Sequence, residues 1–165
     1  MKKYTIFPGQ FIITTTPCLI STVLGSCVSV CLWDRENHTS AMNHFLLPGK
    51  EEDDNTNTNL GLTATRLLVR SMINRMVKIE KLEAKVFGGC NSLYRDNDLF
   101  KVGERNIETA KNVLKEYDIQ IRAHHTGGSY GRKIVFNTGT GKVRMRLLAT
   151  PASQINDRIH KGFGY

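Results

Sequence analysis

No stretch of this 165-residue chain is apolar for long enough to cross a bilayer; runs such as Phe11 to Ile13 and Phe45 to Leu47 are typical of it. The opening MKKYTIFPGQ has two lysines but no apolar core behind them, so a secretory signal is not expected. A cytoplasmic, reducing compartment follows as the expectation, with Cys18, Cys27, Cys31 and Cys90 as thiols. Repeats, low-complexity tracts and linkers are missing too, which points to one domain over residues 1–165. With 40% hydrophobic and 23% charged residues, the composition is that of a globular chain and not a disordered one.

Two further absences bear on chemistry. The chain has no second Cys-x2-Cys or His-x3-His to complete a zinc knuckle. Cys27 and Cys31 share one strand-like run, so a Cys3His set with His44 and Cys90 is disfavoured and no metal is expected. The Gly-rich, basic segment from Thr126 to Lys133 leads into a strand and does not match a phosphate-binding loop; it reads as a loop shaping a cleft. His124 and His125 are adjacent and would point to opposite faces of a strand, so they would not chelate together.

Acidic residues are scarce in one part of the chain. Residues 1–60 carry four Lys/Arg against six Asp/Glu, a net of −2, while residues 61–165 carry 19 against nine, a net of +10. Much of that charge falls at helix-face or strand-alternation spacing, as in Arg66/Arg70 and Lys142/Arg144/Arg146. No basic run is interleaved with aromatics. A surface that is either solvated or faces an acidic partner is therefore expected, and nucleic-acid binding is not.

The patterning predicts a mixed α+β fold. Strand signals run through Tyr4–Ile13, Cys18–Leu24 and Ser26–Trp33, the last alternating small or polar with large apolar residues over eight positions. Asp34–Asn37 reads as a turn into Ala41–Leu47, giving a hairpin, and the polar stretch 50–59 reads as an exposed loop. Ala64, Leu67, Leu68, Ser71, Met72 and Met76 then mark one face of a helix over about 62–77, with Asn59 or Thr63 as its cap. Lys85–Phe87 reads as a buried strand, and Ile107, Ala110, Leu114 and Tyr117 set a second helix. Ile119–His124 and a final hairpin follow, with Val143, Met145 and Leu147 facing in and Lys142, Arg144 and Arg146 facing out.

The 26–47 hairpin carries the most informative geometry. If its turn centres between Arg35 and Glu36, Cys27 lies opposite His44, about 4.5–5.5 Å away between β-carbons. An imidazole at that distance can take a thiol proton and make cysteine a nucleophile. Gly25 beside Ser26 lets a substrate backbone approach, and free amides near Ser26 and Cys27 could hold an oxyanion. Against this stands the ordinary fate of a strand cysteine, which is to be a small buried hydrophobe; Cys31, before Leu32-Trp33, is read that way. Cys18 has no evident partner, and Cys90 after Gly88-Gly89 is the second candidate thiol.

Leu24-Gly25-Ser26-Cys27-Val28 with Asn43-His44-Phe45-Leu46-Leu47-Pro48 resembles the CheD family of chemoreceptor glutamine deamidases. Val86-Phe87-Gly88-Gly89, Gly103-x-x-Asn106, and Gly127-Gly128-x-x-Gly131-Arg132-Lys133 continue the resemblance in order, over about residues 7–148. It implies packed mixed β-sheets flanked by helices, related to the deamidating domain of cytotoxic necrotizing factor toxins. It implies a cysteine hydrolase acting on glutamines of methyl-accepting chemotaxis receptors, without cofactor, and a CheC-type phosphatase as possible partner or, in the alternative, as its main one. The family's nucleophile falls on Cys27 and its histidine on His44. Its third member is a hydroxyl shortly before the LGSC segment: Thr22 by residue identity, Ser21 by strand parity. Gly25, Gly127 and Gly128 are expected to shape the cleft. The tail 149–165 matches nothing assignable.

Overall fold

A computed structural model describes residues 1–91 and 101–151. Among these residues nine strands form two mixed sheets: β1 (Lys2–Thr5), β2 (Phe11–Thr14), β3 (Cys18–Leu24), β4 (Val28–Asp34), β5 (Ser40–Asn43), β6 (Leu82–Gly88), β7 (Gln120–Thr126), β8 (Tyr130–Asn137) and β9 (Val143–Pro151). One sheet has the order β1-β3-β8-β9 and the other β2-β5-β4-β6-β7. Two helices, α1 (Gly61–Ile73) and α2 (Val102–Glu116), complete the α+β architecture anticipated from the patterning.

Alternation along β4 explains the layering. Val28, Val30 and Leu32 point to the helix side, where they pack with Ala64, Leu68 and Met72 of α1 and Ala110 and Leu114 of α2. Cys31 and Trp33 point the other way, onto Ile20, Leu24, Ile134 and Phe136 of the four-stranded sheet. Every residue of β4 is buried, because both of its faces are covered. The outer face of the four-stranded sheet has no helix over it among the described residues.

Several expectations shift in detail. The β4–β5 hairpin pairs Cys31 with Met42 and not with Ser40, a slip of two residues from the expected register. The reason is local: Asp34 accepts from Glu36 N–H (2.9 Å) and Asn37 Nδ2 (2.6 Å), holding a four-residue loop closed by Asp34 N–H on Thr39 O. His38, at φ 52°, completes that loop, so the turn centres later than Arg35/Glu36. Helix α1 ends at Ile73, leaving Met76 outside it and 86% exposed. Neither Asn59 nor Thr63 caps it. The cap position is Leu60, and the first amides are taken by the backbone: Gly61 N–H on Leu47 O and Leu62 N–H on Pro48 O. In β9, Val143 and Met145 pack inward as expected, but Leu147 is 46% exposed.

Candidate active site

Of the two adjacent hydroxyls before Gly25, only Thr22 reaches the histidine. β3 buries Ile20, Thr22 and Leu24 on its inner face, so Ser21 turns outward and bonds Tyr4 O and Thr5 Oγ1. Thr22 Oγ1 lies 2.8 Å from His44 Nδ1 and donates to Ile6 O at 2.7 Å. Its one hydrogen is committed to a carbonyl, which can only accept. Oγ1 therefore accepts from Nδ1–H, and the imidazole proton sits on Nδ1. That leaves Nε2 with its lone pair. It is buried and has no hydrogen-bond partner among the described residues.

His44 is held by its backbone as well. Its N–H donates to Gln10 O and its C=O accepts from Gly9 N–H, while Asn43 Oδ1 accepts Val30 N–H in the place a strand carbonyl would occupy. β5 thus parts from β4 at Asn43–His44 and rejoins it at the Val28–Phe45 bridge. Burial pushes the imidazole down to about 4, so it is neutral at physiological pH.

Cys27 lies in the three-residue passage between the sheets, after β3 and before β4. The pairing of Cys31 with Met42 and of Val28 with Phe45 puts Cys27 and His44 two positions out of line, so they are not the directly paired couple expected. All three carbonyls of the passage are occupied: Gly25 O by Cys90 N–H, Ser26 O by Asn106 Nδ2, and Cys27 O by Gly89 N–H. Neither the Ser26 nor the Cys27 amide donates to another backbone group among the described residues; the Cys27 N–H lies beside its own sulfur. Burial raises the Cys27 thiol pKa, its own N–H lowers it, and the neighbouring Cys90 raises it further; the net direction is up. At rest the pair is therefore a neutral thiol and a neutral imidazole.

The CheD family model, described as chemotactic sensory transduction, matches residues 46–147. Curated relatives named probable chemoreceptor glutamine deamidase CheD align over most of the chain. The protein of Trichlorobacter lovleyi is 42% identical, covering 87% of this chain and 89% of its own. This chain belongs to the CheD family. The relative from Sinorhizobium medicae is 33% identical over 93% of this chain and 84% of its own, and that from Sulfurimonas denitrificans 38% over 89% and 94%. A solved Neisseria meningitidis structure aligns over 78% of this chain and 63% of its own with a TM-score of 0.39 and 11% identity.

The other family motifs gather round the same passage. Gly88 and Gly89 receive Cys27 through the Gly89 amide, and Gly127 N–H bonds Gly88 O, which sets the Gly127-Gly128 turn against the end of β6. Both turn glycines have positive φ, 75° and 74°, and open space where a β-carbon would stand. Arg132 reaches under this turn; its guanidinium bonds His125 O, Gly127 O, Tyr130 O and His125 Nδ1. It is wholly buried with no carboxylate partner among the described residues, and the basic composition did not single it out. Cys31 is a core residue, as its place in the strand pattern predicts, its thiol pushed up to about 12 by burial. Cys18 is buried with Thr138 Oγ1 3.6 Å from its sulfur. Among the described residues no group of three His, Cys, Asp or Glu gathers in a way that could hold a metal ion. No helix among them is long and apolar enough to cross a membrane.

Proposed function

We propose that this chain is a protein-glutamine deamidase that converts glutamine side chains of methyl-accepting chemotaxis receptors to glutamate, with Cys27 as nucleophile and His44 as base. The observation that carries the reading is the Thr22–His44 hydrogen bond, which puts the imidazole proton on Nδ1 and leaves Nε2 as a free base on the face that bears Cys27. His44 Nε2 takes the thiol proton as sulfur attacks the carboxamide carbon. The carbonyl π pair moves to oxygen, and the Cys27 N–H donates a hydrogen bond to the oxyanion. When the tetrahedral species collapses, the C–N bond breaks and His44 returns the proton to the departing ammonia. Water, deprotonated by His44, then attacks the γ-glutamyl thioester, releasing glutamate and the thiol. Thr22 keeps the tautomer, the part a carboxylate plays in a serine-protease triad.

The thiol is neutral at rest and gives its proton to Nε2 as the sulfur attacks. The charge of the molecule supports the substrate class. On the outer face of the four-stranded sheet, Val23, Lys133 and Arg146 align in one row and Ser21, Val135 and Arg144 in the next. Lys133, Arg144 and Arg146 are exposed and have no ion pair among the described residues, and β1, β3, β8 and β9 contain no acidic residue. Receptor helices rich in Glu and Gln complement such a face.

The experiment is mass spectrometry of a receptor cytoplasmic fragment incubated with the protein. Each converted glutamine gains about one dalton, an NH2 replaced by OH, as the balance of the reaction requires. Cys27→Ala and His44→Gln are expected to abolish the gain. Retained conversion by Cys27→Ala would overturn the reading.

A further inference from the structure

α2 lies on the helix side of the five-stranded sheet, yet one of its side chains touches the chain just before Cys27 and just after His44. Asn106 is fully buried, and its Nδ2 donates to Ser26 O and to Leu46 O, each at 2.9 Å. The orientation of the amide is forced, since a flipped group would set Oδ1 against two carbonyl oxygens. Among the described residues its Oδ1 is buried without a partner. An apolar side chain of similar shape would take this donor from both the Ser26 and the Leu46 carbonyl. What the asparagine supplies here is direction.

A trans peptide is planar, with its C=O and N–H pointing to opposite sides. Asn106 draws the Ser26 carbonyl toward the helix layer, so the N–H of Cys27 in the same peptide points away from it, toward the face between the sheets. Cys27 itself packs on that face, against the inter-sheet core. The carbonyls on either side are fixed independently, Gly25 O by Cys90 N–H and Cys27 O by Gly89 N–H, leaving the middle peptide of the passage for Asn106 to set. The second bond, to Leu46 O, holds the strand that follows His44 at the same depth.

We infer that Asn106 is a positioning residue for the oxyanion site: by fixing the Ser26–Cys27 peptide through the Ser26 carbonyl, it aims the Cys27 N–H at the oxygen of the attacked amide. The inference rests on the thioester mechanism proposed above. It separates two properties that a merely structural role would change together. Attack of Cys27 on iodoacetamide displaces iodide and develops no oxyanion, whereas attack on a carboxamide requires one.

The test is Asn106→Ala in the full chain, with folding checked by thermal melting. Steady-state deamidation of a receptor fragment and the second-order rate of Cys27 alkylation by iodoacetamide are measured side by side. The expected result is a fall in kcat of about 10- to 100-fold, with KM and the alkylation rate within about threefold of the parent. The inference is overturned if kcat stays within about threefold, or if alkylation falls in step with kcat. Should Asn106→Ala not fold, Asn106→Ser, whose hydroxyl is too short to span both carbonyls, is judged by the same two rates. Cys27→Ala run in parallel keeps the two readings apart: turnover by that variant sinks the thioester mechanism itself, while its loss leaves the Asn106 variants to decide the positioning role.

Discussion

At the scale of single residues, the site turns on where two protons are. Thr22 spends its hydrogen on Ile6 O and accepts from His44 Nδ1, which no property of Ser21 can replace from the outer face of β3. Thr22→Val is expected to lower kcat by about 10-fold or more, because the imidazole loses both its tautomer and its orientation; Ser21→Ala should stay within about threefold. Parallel kinetics on the two variants check this, and equal losses would contradict it. The depressed histidine also links stability to acid. Folded His44 takes its proton at about 4, against an ordinary 6.5, so between those values the unfolded chain holds more protons and stability rises with pH. The contribution is complete above about pH 6.5 and is lost as pH falls toward 4, about 3 kcal/mol in all. Denaturant melts of parent and His44→Gln over that range should show the acid slope flattened in the variant; an unchanged slope would mean His44 is not its source.

At the scale of elements, the passage from β3 to β4 is built by its neighbours. Gly88, the last residue of β6, has φ +114°, and a β-carbon there would stand 2.1 Å from Cys27 O. The clash is with backbone, which cannot swing away, so Gly88→Ala must move the Cys27 main chain. Loss of kcat by more than about 10-fold is expected, with the fold retained by circular dichroism; a variant of normal kcat would show that Cys27 tolerates displacement. The same passage explains which sequence patterns predict structure and which do not. Alternation along Ser26–Trp33 and the 3.6-residue spacing of Ala64, Leu68 and Met72 are local, and both elements are present, although β4 begins only at Val28 and α1 already ends at Ile73. Hairpin register is not local in that sense. It depends on Asp34 folding back on Glu36 and Asn37, an arrangement that Asp-Arg-Glu-Asn allows without announcing. The slip of two residues keeps Cys27 and His44 on one face because side-chain parity survives an even shift.

At the scale of the molecule, charge is segregated by layer. The acidic loop at 50–59 lies beside α1, where Glu51 and Arg66 pair, while the far sheet presents Lys133, Arg144 and Arg146 unopposed among the described residues. An acidic substrate should meet the second face first. Reversing those three charges to glutamate is expected to lower kcat/KM by about 10-fold at low salt, through KM or association rather than kcat. The defect should shrink as ionic strength rises and the Debye length falls below about 10 Å. Stopped-time deamidation assays across a salt series check this; a parent rate insensitive to salt would remove the face from recognition.

What the sequence determined by itself was chemistry that needs only neighbours in the chain: the α+β patterning, the LGSCV and NHFLLP segments, the basic bias after residue 60, and the family they indicate. Parity, however, could not be carried from Thr22 to Cys27. The chain leaves one sheet at Leu24 and enters the other at Val28, and the intervening passage resets which way each side chain points. Only the tertiary structure decided which of Ser21 and Thr22 meets the histidine, because only it brings Ile6, Thr22 and His44 together from three separate segments. The same holds for Asn106. The sequence put it just before the second helix, whereas it lies within α2, and its two bonds reach residues 80 and 60 positions away, contacts that no local pattern encodes.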